Sequence, residues 1–203
     1  MYRTPSGTGW IEVIAGCMFS GKTEELIRRI RRAQYGRQTV VVFKPRIDDR
    51  YSVDSVGSHS GTRLRSIQVD SSADIRAQVG AAQVVGIDEA QFLDDALVDL
   101  CEELANEGRR VIVAGLDLDF RGEPFGPMPR LLCKAEYIQK AHAVCVICGN
   151  PADRSQRLVA QSDTVLVGES DSYEARCRIH WDPNAADGMQ QRLPFGPDLA
   201  ELT

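Results

Sequence analysis

Residues 10–23, WIEVIAGCMFSGKT, constrain the fold more than any other stretch of the chain. An apolar run leads directly into GCMFSGKT, which matches the phosphate-loop pattern G-x-x-x-x-G-K-[ST] at Gly16, Gly21, Lys22 and Thr23. Such a loop works only in that order. A strand delivers the chain, and glycines let the backbone of Cys17, Met18, Phe19 and Ser20 curl with its N–H groups inward. A helix beginning near Thr23 then adds partial positive charge. Lys22 is thereby placed for the β- and γ-phosphates of a nucleotide, and the Thr23 hydroxyl for Mg²⁺. A plain glycine turn is the competing explanation, and the strand-before, helix-after context argues against it.

The surrounding pattern extends this reading. WIEVIA (10–15), TVVVF (39–43), QVVGID (83–88) and RVIVAGL (110–116) read as short, largely buried strands. Between them, Leu26, Ile27, Ile30 and Ala33 share one helical face, as do Leu93, Leu97, Leu100, Cys101 and Leu104, with Gly108 placed to stop the second helix. Strands alternating with helices imply an α/β fold of the P-loop NTPase type, a parallel sheet with helices on both faces.

The 203 residues suffice for one such domain and a small appendage, and 43% hydrophobic with 26% charged residues is ordinary globular composition. A net charge of −5 argues against a nucleic-acid partner. The arginines of RRIRRAQYGR (28–37) could suggest one, but Arg28, Arg29 and Arg32 fall opposite the apolar stripe, as a solvated face does. No run is long enough to span a bilayer and MYRTPSGTG lacks a signal-peptide core, so the expected location is the cytoplasm. Reduced thiols follow from that location, with Cys17, Cys101 and Cys133 as loop or core filler.

A phosphate loop needs a second magnesium anchor at a neighbouring strand end. Asp88, in VVGIDEAQF, ends an apolar strand and suits that task. Glu89 follows. It can accept a proton from an attacking hydroxyl within reach, or serve merely as a first-turn acid favoured by the helix dipole, and the residues leave both open.

From about residue 141 apolar runs shorten and cysteine pairs appear. CVIC (145–148) and CRIH (177–180) give C-x₂-C and C-x₂-H, in which each tight turn lets two ligands face one ion. Cys145, Cys148, Cys177 and His180 form a closed structural zinc set, with no position left for catalysis. The long stretch between the pairs holds a plausible hairpin around TVLVG. His59 and His142 have no ligand partner at usable spacing; His142 reads as a local structural residue and His59 as loop-borne. The organisation expected is a nucleotide-binding domain over 1–140, a zinc-binding and lasso domain over 141–181, and a disordered tail over 182–203.

Taken together, GCMFSGKTEEL, KPRIDDRYS, GIDEAQF, GLDLDFRGEPFGPMPRL, AVCVICG and DSYEARCRIHW, in that order, resemble the cytosolic thymidine kinases that pair a P-loop domain with a small zinc domain. The resemblance runs from about Gly9 to Trp181. It implies that the loop holds the phosphates of ATP and that the γ-phosphoryl passes to the 5′-hydroxyl of thymidine. Glu89 is then the general base, with Lys22 offsetting charge on the transferred group and Thr23 and Asp88 serving Mg²⁺. Asp48 and Arg50 would sit near the acceptor hydroxyl. Met18, Leu116, Phe120 and Phe125 would line the thymine pocket with Phe92 beside it, although Phe92 and Leu116 read equally well as core. Residues 158–173 would form a lasso over the base, with Val167, Gly168 and Tyr173 at the substrate and the zinc tethering its end.

Two positions depart from the pattern. His180 stands where some relatives have a fourth cysteine, and Glu169 replaces the second of two glycines after Val167. The resemblance further implies a homotetramer inhibited by the end-product triphosphate dTTP. The competing function is a P-loop ATPase whose zinc knuckle grips single-stranded nucleic acid. It needs a basic groove studded with aromatics, and residues 141–181 supply only Tyr173 and Trp181.

Overall fold

The computed structural model describes residues 7–46, 55–57, 63–158 and 172–183. Asp48, Arg50, His59, Val167, Gly168, the hairpin expected around TVLVG and the tail beyond residue 183 lie outside these. The described elements are β1 (Trp10–Gly16), α1 (Lys22–Tyr35), β2 (Val40–Pro45), β3 (Ser55–Gly57), β4 (Arg63–Arg65), β5 (Ile67–Val69), α2 (Ser72–Gln78), β6 (Val84–Ile87), α3 (Leu97–Asn106), β7 (Arg110–Gly115), α4 (Met128–Lys134) and β8 (Tyr137–Ala141). The short strands β9 (Ala143–Val144), β10 (Pro151–Ala152), β11 (Arg154–Arg157) and β12 (Tyr173–Arg176) follow.

Six strands form one parallel sheet in the order β5-β2-β6-β7-β1-β8. The four strands legible in the sequence are its centre. Its two edges are less legible, β5 because it is only three residues long and β8 because its middle is polar or exposed. The order has a functional consequence: β7 lies between β1, which delivers the phosphate loop, and β6, which delivers Asp88. All three strands end at the same edge of the sheet, where ligands bind in open α/β folds.

Period-two alternation sorts the strand side chains onto two faces. On β1, Ile11, Val13 and Ala15 join Val85, Ile87, Val111 and Val113 against α3 and α4. Ile14 points the other way and meets Leu26, Ile27, Ile30 and Ala33 of α1, with Val84 and Ile112. Each fully buried Leu or Ile there contributes about 1.5–3 kcal/mol relative to exposure. These contacts hold α1, and therefore the phosphate loop at its start, in fixed register with the sheet.

Three sequence expectations change. Leu93 is buried but precedes α3, which begins at Leu97; Asp94 intervenes, its carboxylate accepting from the Ser72 amide at 2.8 Å and the Ser72 hydroxyl at 2.6 Å. Arg29 does not face solvent. Its guanidinium reaches back to the sheet and donates to Glu12 Oε2 at 2.7 Å, while Arg28 and Arg32 are exposed. Glu12 also accepts from Trp10 and Arg110, and although burial acts to raise its carboxyl, these donors hold it below the usual range. Cys133, finally, is exposed on α4, whereas Cys17 and Cys101 are buried, the latter's thiol pushed up to about 12 by burial.

Strands β9 to β12 form two antiparallel pairs, β9 with β10 and β11 with β12. Their small core is Ala143, Cys145, Ala152, Ala175 and Cys177, and it is completed by Cys17 from the phosphate loop. None of the helices formed by described residues is long and apolar enough to cross a membrane.

Candidate active site and metal cluster

The loop between β1 and α1 has the conformation that its glycines permit. Gly21 is left-handed at φ 78°, and a Cβ on Gly16 would lie 2.3 Å from the Ala141 carbonyl oxygen of neighbouring β8. Among the described residues no side chain caps the α1 N-terminus, which suits its amides to an anion. Phe19, also left-handed at φ 63°, is exposed at the crest. Lys22 is buried and its ammonium donates to the Cys17 carbonyl at 2.7 Å, so the cation sits across the loop.

Two anchors tie this loop to the small region. The Cys17 thiol donates to the Ala152 carbonyl at 3.3 Å, and the Met18 amide donates to Ser155 Oγ of β11 at 3.0 Å. Ser20 turns inward and its hydroxyl donates to the Cys17 carbonyl at 2.7 Å.

Across β7, Asp88 ends β6 and faces the loop. The Thr23 hydroxyl donates to its carboxylate, at 3.2 Å from Oδ2 and 3.4 Å from Oδ1. Burial, reinforced by the adjacent Glu89, pushes the Asp88 carboxyl up to about 7. A divalent cation would relieve both effects, so Thr23 and Asp88 fit an Mg²⁺ position. Glu89 occupies a left-handed turn at φ 50°, an uncommon backbone conformation for a residue that carries a side chain. Its Oε2 accepts from Gln91 Nε2 at 2.6 Å.

Phe92 and Phe125 meet edge to face with centroids 5.4 Å apart, and both are half-buried. Leu116, immediately after β7, is also half-buried, and neither Phe92 nor Leu116 is among the buried residues of the two core clusters. Phe120 lies under the Arg157 guanidinium at 4.6 Å, and its carbonyl accepts from the Trp181 indole at 3.2 Å. Met18 is half-buried in the loop itself. Tyr173 is buried at the start of β12, in register with Arg157. Leu158 and Ser172 close a backbone hydrogen bond of 2.9 Å, so the two ends of the predicted lasso stretch lie side by side.

Cys145, Cys148, Cys177 and His180 converge, with ligand atoms all within 4.8 Å of one another. Cys148 Sγ lies 3.8 Å from Cys177 Sγ, and His180 Nδ1 lies 3.2 Å from Cys177 Sγ and 3.7 Å from Cys145 Sγ. A tetrahedron with Zn–S bonds of about 2.3 Å has S–S edges of about 3.8 Å, so the quartet fits zinc. Burial acts to raise the Cys145 thiol, but backbone N–H groups turned toward its sulfur prevail and bring it down to about 6. A sulfur so close to thiolate is a prepared ligand. His142, by contrast, is exposed between β8 and β9 and outside this cluster.

A family model described as thymidine kinase matches residues 9–181. The chain belongs to the thymidine kinase family. A member of that family, the thymidine kinase of Rhodothermus sp. (strain ITI 518), is 56% identical over 181 residues, covering 89% of this chain and 85% of the relative. Among solved structures, the flagellar accessory protein FlaH of Methanocaldococcus jannaschii superposes with a TM-score of 0.50 at 12% identity. It covers 72% of this chain and 76% of its own. At that identity the likeness shows the fold, a P-loop sheet with helices, and nothing about the acceptor.

Sequence reading alone did not single out Gln91 or Ser155. Gln91 carried one legible signal, a polar amide between the apolar Ala90 and Phe92 shortly after the strand that delivers Asp88. Ser155 carried none, because its partner is 137 positions away.

Proposed function

We propose that this chain transfers the γ-phosphoryl group of ATP to the 5′-hydroxyl of thymidine, giving thymidine monophosphate and ADP. The observation that carries this reading is the convergence of the phosphate loop with Asp88 and Glu89 at one sheet edge, in a chain of the thymidine kinase family. The acceptor oxygen forms a bond to the γ-phosphorus as the bond to the β-phosphate oxygen breaks, and the hydroxyl proton passes to Glu89. Loop amides and Lys22 hold the phosphates, while Thr23 and Asp88 hold Mg²⁺, which offsets charge on the transferred group. Phosphoryl transfer asks the protein mainly for alignment and charge neutralisation, and both are supplied from rigid elements.

In the same reading Met18, Leu116, Phe120, Phe125 and Phe92 enclose the base, with Tyr173, Val167 and Gly168 from the 158–173 stretch and with Asp48 and Arg50 at the acceptor hydroxyl. Zinc on Cys145, Cys148, Cys177 and His180 is structural. It anchors the end of β12 and so the return of the lasso, which excludes water from the reacting phosphoryl group. Residues 1–140 form the nucleotide-binding unit and 141–181 the zinc-bearing one. A homotetramer, feedback by dTTP and a cytoplasmic location complete the proposal.

The test is release of ADP from Mg·ATP across a panel of nucleosides. Thymidine is expected to drive release, deoxyuridine to be tolerated to some degree and purine nucleosides to be silent. Equal release with and without nucleoside would overturn the reading in favour of a simple ATPase.

A further inference from the structure

Gln91 is buried at 3% exposure, two residues after Glu89. Its amide makes two contacts of opposite sense. Nε2 donates to Glu89 Oε2 at 2.6 Å, and Oε1 accepts from the Leu116 amide at 2.9 Å. The orientation is forced, because a carboxylate can only accept and a backbone N–H can only donate. We propose that Gln91 is a positioning residue that fixes the carboxylate of the base Glu89 relative to the pocket wall at Leu116. This inference rests on the assignment of Glu89 given above.

The surroundings leave the amide almost no freedom. A Cβ on Gly115 would stand 2.7 Å from Gln91 Oε1, and one on Gly126 would stand 2.3 Å from the Gln91 carbonyl oxygen. Two glycines from two different segments thus close on one residue, Gly115 of β7 against its side-chain amide and Gly126 of the turn before α4 against its backbone. Holding Oε2 of Glu89 from behind leaves Oε1 as the oxygen available to the acceptor hydroxyl. The other end of the same amide holds Leu116, so base and pocket are set by one rigid group. A carboxylate in a left-handed turn has no helix or strand of its own to orient it, and the amide supplies that orientation.

Two substitutions separate the two contacts. Gln91→Met keeps length and volume but loses both hydrogen bonds. Gln91→Glu keeps an acceptor for Leu116 while removing the donor to Glu89. Steady-state kinetics of both, with Glu89→Gln and the Glu89→Gln/Gln91→Met double variant, decide the matter alongside thermal unfolding and binding of a non-hydrolysable ATP analogue. Gln91→Met is expected to lower kcat by about 10²-fold, the scale of a misplaced reacting group, and to raise KM for thymidine. Gln91→Glu is expected to lower kcat at least as much with KM for thymidine nearer wild type. ATP-analogue affinity should be unchanged in both. The double variant should be no slower than Glu89→Gln alone, because orienting a missing base has no value.

If Glu89→Gln is inactive while Gln91→Glu turns over at the wild-type rate, the positioning role is wrong. A double variant slower by the full product of the two single effects would also refute it. Should Gln91→Met fail to fold, Gln91→Glu carries the test alone. Should Glu89→Gln itself turn over normally, the assignment of the base fails instead, and the two failures are thereby told apart.

Discussion

The parallel sheet and the small cysteine-bearing region are stabilised by different physics, although they touch at the phosphate loop. The sheet buries two continuous sets of branched aliphatic side chains, one on each face. The small region's hydrophobic cluster holds three alanines and two cysteines of its own, with Ile147 packed against them and Cys17 lent by the loop, and Tyr173 is buried outside that cluster. At about 0.8 kcal/mol per buried CH₂, alanines contribute little. Two short strand pairs with so small a core need a covalent or metal staple, and the quartet of ligand atoms is placed to be one. The lesson concerns the loop. One side of the phosphate cradle is held by the aliphatic packing of α1, and the other by a region that carries four candidate metal ligands.

The sharpest way to break this comparison is to remove the metal. Cys148→Ser is expected to lose bound zinc by elemental analysis and to leave residues 141–181 open to protease, while amides of β1, β6 and β7 stay protected from hydrogen exchange. Thymidine phosphorylation should disappear with the metal. A metal-free protein of full activity would show that the small region needs no staple.

Next in size are the charges at the sheet edge. Lys22→Ala should abolish transfer without unfolding, since its ammonium spans the loop rather than the core. Glu89→Gln is expected to lower kcat by about 10²–10⁴-fold with ATP binding little changed. Asp88→Asn should differ in kind, regaining part of its activity as Mg²⁺ is raised, because its defect lies in metal placement. Kinetics at several Mg²⁺ concentrations separate the two carboxylates. Identical responses would mean that they do not divide the work.

Ile30→Ala tests the aliphatic side. Ile30 is fully buried between α1 and the sheet, so the expected loss is about 2–5 kcal/mol of global stability. Zinc content should be untouched below the melting transition. Denaturant unfolding followed together with metal release checks this, and zinc release that shifts to lower denaturant in step with the sheet transition would show that the two regions unfold as one.

The smallest effect is expected at the seam. Ser155→Ala removes the acceptor of the Met18 amide, a bond of about 1 kcal/mol. KM values for both ATP and thymidine should rise a few-fold at nearly constant melting temperature, because Met18 belongs to the loop and to the proposed base pocket. A change confined to stability would reduce the seam to simple packing.

What the sequence determined was local and periodic. The phosphate loop needs a strand before it, a helix after it, and glycine, lysine and threonine at fixed spacing, so Gly16 to Thr23 could be placed without a structure. Four buried strands announced themselves as apolar runs, and C-x₂-C with C-x₂-H named the quartet because each pair sits in one tight turn. Tertiary structure decided whatever depends on partners distant in sequence. Arg29 looked solvated because helical periodicity says nothing about Glu12 waiting on β1. Leu93 fitted the α3 stripe, yet the chain turns at Asp94 to satisfy Ser72 before the helix begins. Phe92 and Leu116 read equally as core or pocket in the sequence, and only the fold shows that both stay half-buried, outside the clusters on the two sheet faces. Gln91 and Ser155 follow the same rule: a hydrogen bond needs two groups within about 3 Å, and only the folded chain brings Leu116 to Gln91 or Met18 to Ser155.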